Sequence, residues 1–129
     1  MKTVTLEQAK KIKELGVEID YNFSWYRIES GDVYEYIVAP INSYPIKQES
    51  FPAYQAEEML DRMPEWIGDY GLIVRKRLKS VGGYCISYDH AETDVCLNVF
   101  EDKSLSVAVG DMFIWLAENN HLSKPNSQA

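Results

Sequence analysis

The stretch Phe51 to Trp66, FPAYQAEEMLDRMPEW, constrains the fold more than any other part of the chain. It predicts a short amphipathic helix: Ala56, Met59, Leu60 and Met63 follow the i, i+3, i+4, i+7 spacing of one apolar stripe, while Glu57, Glu58, Asp61 and Arg62 fall on the opposite side. Pro64 stops it. So short a helix is marginal alone in water, so its stripe must be covered by something larger, and the β-rich segments on either side supply a sheet. This yields a fold class and no function.

Two further helices are written into the ends of the chain. In Thr5 to Leu15, TLEQAKKIKEL, Thr5 is the N-cap, Gln8 completes a capping box and Gly16 is the stop. Leu6, Ala9, Ile12 and Leu15 form its stripe, and Lys10, Lys11 and Lys13 are solvated charge near the C-terminus, where cations are favoured. Ser104 to Asn119, SLSVAVGDMFIWLAEN, has Ser104 as N-cap and a broad stripe of Leu105, Ala108, Val109, Met112, Phe113, Trp115 and Leu116. Gly110 interrupts that stripe and is expected to let the helix approach the sheet closely.

Phe23 to Glu29 and Val33 to Val38 predict a hairpin around Ser30-Gly31-Asp32. A two-residue loop puts Phe23 and Trp25 on a face with Tyr34, Tyr36 and Val38, leaving Tyr26, Ile28, Val33 and Ile37 on the other; a three-residue loop redistributes them. Both registers stay open. Ala39 to Ser50 is a connector without period.

After the central helix, Leu72 to Lys79, Tyr84 to Asp89 and Asp94 to Phe100 predict a meander. A four-residue turn, His90-Ala91-Glu92-Thr93, sets Asp89 against Asp94 and puts Tyr84, Ile86, Tyr88, Val95, Leu97 and Val99 on the core side. A three-residue loop, Val81-Gly82-Gly83, adds Leu72, Val74 and Leu78 to that side and turns Arg75, Arg77 and Lys79 outward, with Lys76 at the sheet margin. A two- or four-residue loop would bury Arg75, Arg77 and Lys79 instead, which costs far more than any turn preference. Arg75 then sits opposite Asp89, beside Asp94. The expected architecture is one α+β domain over residues 1–122, in the order α-ββ-α-βββ-α, with an antiparallel sheet of about five strands, helices on one face, and a polar disordered tail over 123–129.

Composition narrows the function classes. A net charge of −7 argues against sequence-independent nucleic-acid binding, which rests on Lys and Arg displacing counterions from phosphates. No apolar run resembles a signal peptide or reaches membrane-spanning length, so a cytoplasmic protein with no membrane partner is expected. The predicted register sets Cys85 and Cys96 on a diagonal, beyond disulfide reach, as free thiols.

Raw material for catalysis is thin. His90 lies between Asp89 and Glu92, but Cys85 is too far back along its strand to share a proton with it. Asp89, His90, Glu92 and Asp94 match no familiar metal spacing, and Gly82-Gly83 opens no phosphate-binding helix. No catalytic residue, metal or cofactor is therefore expected. The candidate binding surface comprises the hairpin aromatics Trp25, Tyr26, Tyr34 and Tyr36 and the basic run containing Arg75 and Arg77, although strand aromatics are more often cross-strand core pairs.

The segments PAYQAEEMLDRMP (Pro52 to Pro64) and DMFIWLAENNHL (Asp111 to Leu122) resemble motifs of small α+β proteins carried by bacterial prophages and conjugative elements. The resemblance covers about a quarter of the chain, concerns packing, and implies a fold and a genomic setting rather than an active site. Gln55 stands where that pattern has a capping Thr; glutamine caps poorly, so the helix is expected to begin earlier, near Ser50 or Pro52. The leading expectation is a non-enzymatic accessory protein acting through contacts with an unknown protein partner or with itself as a homodimer. The alternatives are an acidic nucleic-acid mimic using Glu57, Glu58, Asp61, Glu65 and Asp69, and a small-molecule site joining the aromatic hairpin to Asp89, His90 and Asp94.

Overall fold

A computed structural model describes residues 2–44, 50–77 and 82–122. The first helix, α1 (Leu6–Glu14), has the capping box expected of it: Gln8 N–H donates to Thr5 Oγ1 at 3.1 Å and Thr5 N–H donates to Gln8 Oε1 at 3.0 Å. Gly16, at φ +76°, ends it. Gln8 does more than cap, because its Nε2 donates to Val107 O at 2.9 Å and to Asp111 Oδ1 at 2.8 Å, fastening α1 to the last helix, α3 (Leu105–Glu118). Gly110 makes room for that contact. A Cβ there would lie 2.8 Å from both Gln8 Nε2 and Val4 Cγ1, so the close approach is to α1 and the segment before it, not to the sheet.

The expected single sheet is two. The strands β1 (Phe23–Ser30), β2 (Val33–Pro40) and β3 (Ser50–Pro52) form a three-stranded sheet in the order β2-β1-β3. The strands β4 (Trp66–Ile67), β5 (Tyr70–Lys76), β6 (Tyr84–His90) and β7 (Cys96–Asp102) form a four-stranded antiparallel sheet in that order. With α2 (Ala56–Leu60) the element order is α-βββ-α-ββββ-α. The sequence pattern omits β3 and β4 because a strand of two or three residues is too short to show alternation.

The central stretch is shared between strand and helix. Phe51 pairs with Trp25, and Ala53 N–H donates to Phe23 O at 2.8 Å, so Phe51 to Ala53 are held extended and α2 begins later, not earlier, than expected. Gln55 and Glu58 form a capping box there, in which Glu58 Oε1 accepts the Gln55 N–H at 2.7 Å. Beyond Leu60 the chain tightens into i→i+3 turns, Arg62 N–H to Met59 O and Met63 N–H to Leu60 O, and both methionines are buried.

Register decides which residues face out. The first hairpin has the two-residue loop Gly31-Asp32, with Ser30 opposite Val33. In the next, Lys76 pairs with Tyr84 and Arg77 N–H donates to Gly83 O at 2.8 Å, so the connection is longer than three residues; Leu78, Lys79 and Val81 lie outside the described residues. The slip is four positions, an even number, which keeps Leu72 inward and Arg75 outward while setting Arg75 against Cys85 rather than Asp89.

The last pairing departs furthest. Asp89 pairs with Cys96, not Asp94, and the next pair is Tyr88 with Asn98, so one residue of β7 is inserted as a bulge. Beyond that residue the two faces of β7 are exchanged: Asn98 and Phe100 turn inward with Tyr88 and Ile86, and Leu97 and Val99 stand exposed rather than in the core, as does Val95 in the turn before the strand.

One hydrophobic cluster joins the elements. Phe113, Met112, Leu116 and Val109 of α3 meet Ile86 and Tyr88 of β6, Met59 and Met63 around α2, Ile12 of α1 and Phe51 of β3. Trp115 packs half-buried against it, beside the His121 ring at 5.4 Å.

Candidate functional site

Helix α3 covers one face of the four-stranded sheet, and the other face is open. The register orders it in three rows. In the first, Trp66 pairs with Gly71, Gly71 with Asp89 and Asp89 with Cys96. In the second, Ile73 pairs with Ser87 and Ser87 with Val99; in the third, Arg75 pairs with Cys85 and Cys85 with Glu101.

Gly71 is the seat of Trp66. A Cβ at Gly71 would lie 3.0 Å from Cζ3 of the indole, so glycine lets the ring sit close on the strand and a larger residue would push it outward. The ring buries Gly71 yet stays 56% exposed itself. Val99 is 44% exposed in the next row, and Leu97 and Val95 stand exposed on the bulge and turn that lead into it. An antiparallel sheet with one solvated face ordinarily alternates polar outward, so a Trp, an Ile and a Val in adjacent rows of that face are a departure.

Among the described residues the charges on this face cancel. Arg75 Nη2 meets Asp89 Oδ2 at 2.9 Å, and since the two residues belong to rows one and three, the guanidinium reaches across the Ile73–Ser87 pair between them. Ser87 is buried beneath; its hydroxyl sits beside the Asp89 carboxylate without a hydrogen bond of sound geometry. Partial burial works to raise the Asp89 carboxyl, but Ser87, Arg75 and Cys96 around it favour the anion and hold it below the usual carboxylate range. Arg77 Nη1 pairs with Glu101 Oε2 at 3.1 Å. Cys85 and Cys96 are free thiols, as expected, both pushed up by burial and by neighbouring acids, which makes them poor nucleophiles at neutral pH.

The six residues expected to form a binding surface do not come together. Trp25 is half-buried and donates from Nε1 to Val4 O at 3.2 Å; Tyr36 lies under the Lys10 ammonium at 5.4 Å. Tyr26 is on the opposite face, buried under Tyr44 at 5.1 Å between ring centres. Tyr34 is exposed at the hairpin tip, with the Arg27 guanidinium 4.0 Å from its ring. Arg75 and Arg77 are on the other sheet, each held by an acid. Trp66, Ile73 and Val99 were not among the candidates. Reading Trp66-Ile67-Gly68-Asp69-Tyr70-Gly71 as a hairpin, with Gly68 in the left-handed region at φ +60°, would have set Trp66 across from Gly71.

Other chemistry gains little. His90 is edge-on to Tyr70 at 5.3 Å, with Nδ1 accepting the Glu92 N–H at 3.2 Å, and among the described residues no group of three His, Cys, Asp or Glu side chains is placed to hold a metal ion. Grooves of about 320 Å³, beside Leu60, Tyr84 and Leu105, and about 290 Å³, beside Ile28, Val33 and Tyr34, are not lined by Asp89, His90 or Asp94. In the acidic row, Glu58 is drawn into the α2 cap and accepts from Asn22 Nδ2 at 3.2 Å, while Glu57, Asp61, Glu65 and Asp69 remain exposed. Among the described residues no helix is long and apolar enough to cross a membrane. No protein-family model matches the chain, and comparison with curated proteins and with solved structures returns no match.

Proposed function

We propose that this chain is a non-enzymatic, cytoplasmic accessory protein of phage or mobile-element origin that works by binding protein through the outer face of its four-stranded sheet. The observation that carries this reading is Trp66 lying exposed on Gly71 in line with Ile73 and Val99, on the face away from α3. A tryptophan on a flat apolar surface is the kind of anchor that dominates binding energy at protein interfaces. The neutralised ion pairs around it let the face be covered without burying an unmatched charge. The origin rests on the likeness of Pro52 to Pro64 and Asp111 to Leu122 to proteins of prophages and conjugative elements.

Affinity capture with the wild-type chain and with Val99→Lys tests the reading. A protein partner held by the first and lost by the second is the expected result. A chain that captures no protein and stays monomeric in solution would sink the proposal.

A further inference from the structure

We infer that the occupant of this face is a second copy of the same chain. This rests on the reading that the face binds protein, and goes beyond it by naming what is bound.

Charge is the first argument. Each chain carries −7, so two copies repel unless they meet where the charge is locally zero. Among the described residues the outer face holds two arginines, Arg75 and Arg77, and two acids, Asp89 and Glu101, each ion-paired within its own copy. A basic partner would instead be drawn to the exposed acids Glu57, Asp61, Glu65 and Asp69.

Shape is the second. The three rows place Trp66 on one side of the Ile73–Ser87–Val99 row and Arg75 on the other. Faces of two sheets pack about 10 Å apart, and a two-fold interface uses the same patch twice. With the two-fold axis lying along the middle row, Val99 meets Val99 of the second copy at the β7 end, while the Arg75 guanidinium of each copy stays over its own Ile73–Ser87 pair. The same rotation carries each Trp66 ring toward the aliphatic stem of the other copy's Arg75, whose guanidinium stays on its own Asp89.

Sedimentation velocity on the full chain, from about 1 to about 200 µM to span micromolar dissociation, reads the outcome. The wild type is expected to pass from 14.9 kDa to twice that mass. Raising salt from about 0.05 to about 0.5 M should hold or strengthen the dimer, because screening weakens the repulsion and no ion pair crosses the interface. Val99→Lys and Trp66→Ala should each weaken association at least about tenfold with unchanged circular dichroism, while Tyr34→Lys on the other sheet leaves it intact. A wild type monomeric throughout, dimers that survive both face substitutions, or dissociation by Tyr34→Lys alone would each overturn the inference. A monomeric wild type whose captured partner is lost on Val99→Lys removes the second copy and leaves the proposed function standing.

Discussion

The two sheets of this molecule use their faces differently. In the three-stranded sheet both are occupied: Phe51 and Tyr36 lie under the lysines of α1, and Ser24 and Tyr26 are buried on the reverse, with Tyr44 over Tyr26. In the four-stranded sheet α3 covers one face, and the other presents Trp66 and Val99 to solvent with Ile73 half-buried near them. The aromatic-rich hairpin therefore spends most of its rings on internal contacts, whereas a single Trp in a turn-rich passage is left out. Abundance of aromatic residues is a poor guide to a binding surface; an aromatic without an internal task is a better one.

Both sheets nevertheless close over one core, and the largest predicted effect tests that. Phe113→Ala should cost about 3–5 kcal/mol, and amide exchange should show both sheets losing protection together. A three-stranded sheet that keeps its protection while the other loses it would separate them. Next comes the contact of α1 with α3: Gly110→Ala forces a Cβ against Gln8 and Val4 and should cost about 1–3 kcal/mol by denaturant melt.

A smaller effect belongs to the covered face of the four-stranded sheet. Tyr88 Oη donates to Pro64 O at 2.7 Å, and burial pushes its pKa up to about 12 from the ordinary 10.0. The folded state favours the neutral phenol, so this contribution is complete below the ordinary value and is lost as pH rises from there toward about 12. Tyr88→Phe should cost about 1 kcal/mol at neutral pH and flatten the alkaline fall in stability. On the open face the sign reverses. Asp89 is held below the usual carboxylate range, so its contribution is present above the ordinary pKa of about 4 and disappears as pH falls through the lower folded value. Because Arg75 is well exposed, Asp89→Asn should cost less than about 1 kcal/mol, seen only on the neutral side of an acid titration of stability.

How much of this was legible follows the same division. Helix ends were readable because caps are local: Thr5, Gln8, Gly16 and Ser104 do what their positions imply. The outward placement of Arg75 was readable because burying a lone charge is so costly. What was hidden depended on one inserted residue. A bulge between Cys96 and Asn98 leaves the alternation of Val95, Leu97 and Val99 intact in sequence while turning Leu97 and Val99 from core to solvent, and no local pattern announces it. The candidate face was hidden with it, since Val99 was counted as core and Trp66, beyond the Pro64 stop, lies in a strand of two residues too short to show alternation.

The direct test of the open face is a paired measurement on Val99→Lys: its denaturant midpoint in dilute solution and its loss of association in concentrated solution. A face used only for docking predicts a change of at most about 0.5 kcal/mol in the first and dissociation in the second. A drop of several kcal/mol in dilute solution, with association unchanged, would mean that Val99 belongs to the core after all.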